Sequence, residues 1–378
     1  MKNLTFAVPC LFGLEGIVGN ECKRLQFHNI RVENGRVLFD GDLGDMARAN
    51  LWLRSGERVL LRLAEFSARS FTELFDGVRA LPWEQFIPKD GAFPVKGHAL
   101  HSQLHSVPDC QSIVKKAVVE RLKSRYHLSW FAETGAKYQI QFGILRDTAS
   151  IYLDTSGPGL HKRGYRARAN EAPLRETLAA GMVELAHYRG REAVYDPFCG
   201  SGTILIEAAM IAQNRAPGLY RRFAAEAWDS CDAAVWKSLR DEAKGRMFAR
   251  DFRLTGTDID DDALRTAASN AAKAGVAQYI TWKHCDVRDW KPAEESGIVI
   301  TNPPYGERLG DAGEAAALAK TLGQVWQRHP AQGLYAITAD ADFEQHFGKK
   351  AARRRKIYNG MIPCQLYMYF EQPKREKR

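Results

Sequence analysis

Asn302-Pro303-Pro304-Tyr305 follows the apolar run Ile298 to Thr301. The two prolines fix φ and prevent a helix from continuing, and Pro303 forces Asn302 out of the α region. A rigid loop results, projecting one carboxamide, one carbonyl and one aromatic ring. Such a loop suits a planar exocyclic amine. The Asn302 side-chain oxygen and the Pro303 carbonyl can each accept one N–H, drawing the nitrogen lone pair out of conjugation and aiming it at an electrophile. Tyr305 can stack on a base, as aromatic rings commonly do in nucleic-acid recognition. Reaching that nitrogen in structured nucleic acid requires an unpaired or flipped nucleotide. The plainer alternative is a proline-rich turn with no chemical role.

A second segment could hold the electrophile, although a lone Gly-x-Gly turn is more often structural. Val194-Tyr195-Asp196-Pro197-Phe198-Cys199-Gly200-Ser201-Gly202-Thr203 runs from an expected strand into an expected helix, Ile204 to Ala212. Its glycines allow a tight turn and close approach to a ligand. No Gly-Lys-Ser/Thr follows the first glycine and the spacing is not GxGxxG, so a phosphate cradle is disfavoured. Asp196 would repel phosphate but attract an ammonium group. S-adenosylmethionine (SAM) carries an ammonium, a sulfonium and no phosphate. Two more carboxylates follow expected strands. Asp258 could accept both ribose hydroxyls at a strand's C-terminal edge, or Asp258 or Asp260 could cap the helix Ala263 to Ala274. Asp286 could accept from an adenine amino group.

These residues need a scaffold. From about residue 186 onward, short apolar runs alternate with helices: Ala193 to Tyr195, Leu254 to Thr257, Ile280 to Trp282, Ile298 to Thr301 and Leu334 to Thr338. That alternation implies an α/β domain with a mostly parallel sheet. Lys356 to Tyr358 and Gln365 to Phe370 flank Asn359-Gly360, implying an antiparallel terminal hairpin. The preceding 155 residues read as mixed α+β. Expected strands are Asn3 to Pro9, Arg36 to Phe39, Arg58 to Phe66 and Phe93 to Leu100. Expected helices are Gly13 to Leu25, Asp42 to Leu53, and Cys110 to Tyr126 capped by Asp109. A hairpin of Tyr138 to Leu145 with Ala149 to Leu153 turns at Arg146-Asp147. Ser156 to Arg168, rich in Gly, Pro and Arg, has no apolar periodicity and is the expected linker.

Composition narrows the setting. The chain has 378 residues, net charge +9 and 45% hydrophobic residues, ordinary for a globular multidomain protein. The charge suits a polyanionic partner without identifying one. No apolar run approaches the ~20 residues of a membrane span, and the N-terminus lacks a signal peptide's apolar core. Seven scattered cysteines without a CxxC pair argue against zinc and a disulfide framework, and fit a reducing cytoplasm.

With these motifs assembled, the chain resembles the class I SAM-dependent amino-methyltransferases. More narrowly it resembles THUMP-domain RNA methyltransferases of the 23S rRNA guanine-N2 family. Further marks are Phe12-Gly13-Leu14-Glu15, His161 to Arg166, Ala172-Pro173-Leu174 and Gly306-Glu307-Arg308. The resemblance implies a ferredoxin-like segment over 1–43, a THUMP domain over 44–155, a linker and lead-in helix over 156–185, and a Rossmann-like methyltransferase over 186–378. It implies SAM held by Asp196, Phe198, Cys199, Gly200, Ser201, Gly202, Thr203, Asp258, Ile259, Asp286, Val287 and Asn302, with Asn302, Pro303, Pro304 and Tyr305 catalytic. Lys115, Lys116, Arg163, Arg166 and Arg308 become candidate contacts to RNA, either 23S rRNA or a ribosome assembly intermediate. Neither a membrane nor a metal is implied. Some family members carry a second methyltransferase domain, for which this chain ends too early. Residues 213–253 read as an insertion near the active-site edge, either touching RNA or forming a packed helical cover.

The expected reaction is direct methyl transfer to an exocyclic base amine, most simply guanine N2. Adenine N6 of DNA or RNA is the nearest rival, and a silent RNA-binding module the rival from another class. A nicotinamide oxidoreductase lacks its GxGxxG. A C5 methyltransferase would need a Pro-Cys nucleophile, and Pro363-Cys364 lies in the terminal hairpin.

Overall fold

The computed structural model describes residues 4–166, 174–304, 312–360 and 362–370. Tyr305 to Arg308, Ala167-Arg168, Ala172-Pro173 and the basic tail Lys374 to Arg378 lie outside the described residues.

The N-terminal half is one mixed sheet. Its strands are β1 (Leu4–Pro9), β2 (His28–Glu33), β3 (Arg36–Gly41), β4 (Leu60–Ser67), β5 (Val95–Leu100), β6 (Ile140–Leu145) and β7 (Thr148–Asp154), ordered β2-β3-β1-β4-β7-β6-β5. Both N-terminal segments therefore share one sheet, joined where β1 and β4 pair antiparallel. Helices α1 (Glu15–Arg24), α2 (Leu43–Trp52), α3 (Phe71–Arg79) and α4 (Val107–Tyr126) pack against it. The apolar stripe of α1 buries Val18 and Cys22, and α4 buries Val114, Ala117, Val118 and Leu122. The start of α4 differs from expectation. Ser106 is its N-cap and Pro108 sits in the first turn, where the missing N–H costs nothing, so Asp109 is helical. Arg146 and Asp147 both have positive φ, 50° and 61°, as a two-residue type I′ hairpin requires. β2 and α3 were not expected. β2 is an edge strand with little burial, and α3 is short, burying Leu74 and Val78. Neither leaves a long periodic signal.

The C-terminal half is a second seven-stranded sheet. β8 (Val194–Asp196), β9 (Leu254–Asp258), β10 (Ile280–His284), β11 (Gly297–Thr301) and β12 (Gln332–Thr338) are followed by β13 (Arg353–Asn359) and β14 (Ile362–Tyr369), in the order β10-β9-β8-β11-β12-β14-β13. The first five run parallel, and β14 pairs antiparallel with both β12 and β13. Helices α5 (Glu176–Leu185), α6 (Thr203–Ala212), α8 (Asp261–Ala274), α9 (Ala312–Gln327) and α10 (Phe343–Phe347) accompany this sheet, and α7 (Ala233–Gly245) lies within the 213–253 insertion. Among the described residues no helix is long and apolar enough to cross a membrane.

Two connections differ in part from expectation. Ser156 to Arg166 joins the two halves as a linker, but a packed one: Leu160, Arg163 and Tyr165 are buried. Its guanidinium groups replace the missing apolar period, Arg163 meeting Glu207 of α6 at 3.3 Å. The 213–253 insertion does not lie at the edge carrying the glycine turn. It follows α6, which starts at that edge and returns along the sheet, and its end joins β9 beside the start of β8, where Val194 N donates to Arg253 O at 2.9 Å. It forms a helical cover on the N-terminal half. Phe223, Trp228, Trp236 and Leu239 belong to the N-terminal core, and Trp228 stacks on Tyr138 at 5.0 Å.

Candidate active site

The strand order reverses between β8 and β11, since β9 and β10 lie on one side and β12 on the other. Ligands of open α/β sheets sit at such a switch point, at the C-terminal strand ends. Asp196, Asp258 and Thr301 occupy those ends, and Asn302 follows immediately. The tertiary fold thereby gathers residues more than a hundred positions apart.

The glycine turn follows β8. Gly200 and Gly202 take positive φ, 51° and 78°, a conformation strained for other residues. Their surroundings differ. A side chain on Gly202 would strike the Trp282 ring at 2.6 Å, whereas one on Gly200 would enter open space. Gly202 thus serves close packing, and Gly200 keeps a ligand-sized approach clear. The turn is tied to β9 by Cys199 N donating to Thr257 O at 3.0 Å. From the other side, Asn270 Nδ2 donates to Ser201 O at 3.1 Å.

Asp258 connects the same pieces. One carboxylate oxygen accepts from Gly200 N at 2.8 Å and the other from Asp260 N at 3.0 Å. Each oxygen retains a second acceptor position, directed by backbone rather than by a cation. The cap of α8 falls to Asp260, which accepts from Asp262 N at 2.8 Å. Asp258 is thus left for a ligand such as a ribose diol. Beside it Ile259 is 62% exposed, a bare apolar side chain of the kind an adenine face covers. Asp286 accepts from the backbone and guanidinium of Arg288, and these bonds hold its pKa down at about 2. It is ionised and retains acceptor capacity. Val287 is buried beneath it.

Asp196 is almost wholly buried. Its Oδ1 accepts from Thr301 Oγ1 at 2.7 Å and from Phe198 N at 3.2 Å. Burial pushes its pKa up to about 7, with the Asp258 charge adding to the rise. Among the described residues no cationic side chain pairs with it. A buried carboxylate with two donors and no counter-ion fits a ligand ammonium. Thr301 was not anticipated from the sequence. Its one signal was a hydroxyl at the last position of an otherwise apolar strand, directly before Asn302.

Asn302 follows that hydroxyl. Its Oδ1 is buried and accepts no hydrogen bond among the described residues. Such an acceptor costs about 1–3 kcal/mol unless something fills it. Pro303 is buried and Pro304 half-buried. Tyr305 lies outside the described residues.

The thiols here are not poised for attack. Burial raises the pKa of Cys199 and of Cys285, and a raised pKa leaves little thiolate. Cys364 is buried in the core. Among the described residues no cluster of three metal-ligating side chains occurs.

The candidate RNA contacts divide. Arg163 is buried, donating to Glu207, Leu160 O and Arg54 O, so no phosphate reaches it. Arg166 donates to Leu174 O and Thr203 Oγ1, both at 2.9 Å, and pairs with Glu176. Both arginines fasten the interdomain segment to α5 and α6, a structural use in place of the expected one. Lys115 bonds Phe93 O at 3.1 Å and Glu133, with its ammonium over the Phe93 ring. Among the described residues of this set, Lys116 alone is exposed. Arg308 lies outside the described residues.

Comparison with known proteins matches the expected modules. A family model described as RMKL-like, methyltransferase domain, matches residues 163–368; an RlmL ferredoxin-like domain matches 5–60 and a THUMP domain 68–154. Along 100% of its length the chain is 41% identical to 99% of a Bacillus subtilis protein named "Putative RNA methyltransferase YpsC". It is 35% identical to the "Ribosomal RNA large subunit methyltransferase K/L" of Psychromonas ingrahamii over 98% of this chain, which spans 51% of that relative. The solved structure of SMU.472, "a putative methyltransferase complexed with SAH", superposes with TM-score 0.92 at 39% identity, covering 99% of both chains. SAH is SAM after loss of its methyl group, so SAM is the family's cofactor. The chain therefore belongs to the RMKL-like, SAM-dependent methyltransferase family, with ferredoxin-like and THUMP domains preceding the catalytic one.

Proposed function

We propose that this protein methylates an exocyclic base amine in RNA, guanine N2 of 23S rRNA in the first instance. The observation carrying the reading is the buried, unfilled acceptor of Asn302, beside a carboxylate suited to the SAM ammonium. When bound, SAM supplies a sulfonium methyl, an electrophile that nitrogen attacks in line. The protein's part is positioning and exclusion of water. Asn302 Oδ1 and the Pro303 carbonyl accept the two amine hydrogens, turning the lone pair out of the ring plane. Thr301 couples this loop to Asp196, so cofactor and base are registered against each other through one hydrogen bond. The RNA assignment is supported by the THUMP match and by the names of the two relatives. Guanine is the fit to the family resemblance, since the tetrapeptide serves guanine N2 and adenine N6 alike.

Nucleoside mass spectrometry of rRNA from cells lacking the protein tests this. Loss of N2-methylguanosine, restored by purified protein and SAM, is the expected result. Loss of N6-methyladenosine instead would replace guanine by adenine, and unchanged rRNA would remove the substrate assignment.

A further inference from the structure

The Phe12-Gly13-Leu14-Glu15 motif has no part in the cofactor site, yet each of its residues is placed by the fold. Leu14 is buried in the catalytic core. Gly13 has φ 93°, and a Cβ there would lie 2.3 Å from Lys356 O. Its carbonyl accepts from Arg355 Nη1 at 2.9 Å. The Glu15 carboxylate staples the loop by accepting from Gly13 N at 2.9 Å and Gly35 N at 3.1 Å. All of this holds Phe12, whose ring rests against Gly35 and remains 56% exposed. A large exposed ring held by both halves of the molecule has little entropy left to lose on stacking.

Phe12 faces Tyr358 of β13, ring centroids 6.1 Å apart at 62°. Against this edge-on pair opens a cavity of about 680 Å³ lined by Cys10, Leu11, Phe12, Lys356, Tyr358 and Gly360. Lys356 is exposed, its ammonium 5.6 Å from the centre of the Tyr358 ring. The register Thr301↔Ala336↔Tyr367↔Arg354 puts Arg354 level with the end of β11, and Lys356 two residues further. The cleft thus opens at the same strand-end edge as Asn302, three strand spacings or about 15 Å away. A cleft with an exposed aromatic face and a cation at its rim, along the edge that must receive the substrate, matches a base stacked on one ring and its phosphate.

We propose that the Phe12–Tyr358 cleft is a second base-binding subsite, which stacks a nucleobase flanking the methylated nucleotide in single-stranded RNA. The proposal rests on RNA being the substrate. Fluorescence anisotropy with a mixed-sequence eight-nucleotide single-stranded RNA tests it. Phe12→Ala and Tyr358→Ala should each weaken binding about 5- to 100-fold, raising KM for RNA with kcat held, while SAM calorimetry and melting temperature stay unchanged. Phe12→Trp should retain affinity, because stacking is preserved. Lys356→Glu, at an exposed position, should weaken binding without touching the rings. Wild-type binding that is unaltered in both alanine variants overturns the cleft and leaves RNA as substrate. A wild-type protein that binds no RNA overturns both.

Discussion

Two buried carboxylates frame this molecule. Glu207 lies at the seam between the halves, its side chain wholly buried and met by Arg163 and by the Tyr165 hydroxyl. Asp196 lies at the switch point, equally buried, with a threonine hydroxyl and a backbone N–H but no cation among the described residues. The seam has its counter-charge built in, so it holds the two halves together. The site lacks one, so under the proposed function a ligand ammonium would supply it. The same contrast separates Asn302, whose carboxamide oxygen is unfilled, from Asn50 of the N-terminal half. The Asn50 side chain bonds Met46 O, Thr155 and Ser156. Buried polar atoms without a partner also occur elsewhere, among them those of Tyr188 and Gln332, so Asn302 is distinguished by its place at the switch point as well as by its open acceptor.

The largest effect should come from removing the unfilled acceptor. Asn302→Ala should lower methyl transfer at least about 100-fold with SAM affinity kept in calorimetry. Wild-type turnover would break the contrast at its centre. On the seam, Arg163→Met should destabilise by about 3–5 kcal/mol in urea unfolding, because Glu207 would be left buried and unpaired. The double variant with Glu207→Leu should regain most of that loss. If the single change were neutral, the seam would not depend on its counter-charge.

Asp196→Asn keeps an oxygen for Thr301 and Phe198 but removes the charge. SAM affinity should fall about 30-fold or more. The sign of the pH effect follows from the raised pKa. Folded Asp196 holds its proton up to about 7, so below that pH the wild-type site is neutral. SAM affinity should then weaken as pH falls, approaching about tenfold per unit. Stability runs the other way. The folded pKa exceeds the unfolded one, so the group's contribution, present at low pH, is lost as pH rises towards about 7. Asp196→Asn should therefore raise the melting temperature at pH 8. A flat SAM affinity between pH 5 and 8 would contradict this account.

The smallest effect extends the contrast to the surface. Lys116→Ala should reduce the salt dependence of RNA binding by about one charge. Lys115→Ala should leave the slope alone, because Glu133 already occupies that ammonium. Equal changes would mean that pairing does not decide which lysine meets phosphate.

Much of the catalytic half was legible because short-range rules suffice there. Prolines at 303 and 304 restrict their own backbone, glycines at 200 and 202 mark the turn, and apolar strands alternate with helices. The packing of the interdomain linker was not legible, for the converse reason. Charge is normally a sign of solvent, and nothing local tells that Arg163 will face Glu207 forty-four residues later. Arg166 and Lys115 were misjudged the same way. The insertion was placed at the wrong edge because direction along a sheet depends on α6 returning across it, not on composition.

By itself, the amino-acid sequence determined the chemistry available: a carboxamide before two prolines, a glycine turn with an acid before it, and strands to carry both. These follow from covalent geometry and local periodicity. Only the tertiary structure decided which charges are spent on holding the halves together, that Thr301 joins Asp196 to Asn302, and that Phe12 reaches Tyr358 across 346 residues of chain (358 minus 12). Such outcomes depend on burial and on partners distant in sequence, and local chain geometry specifies neither.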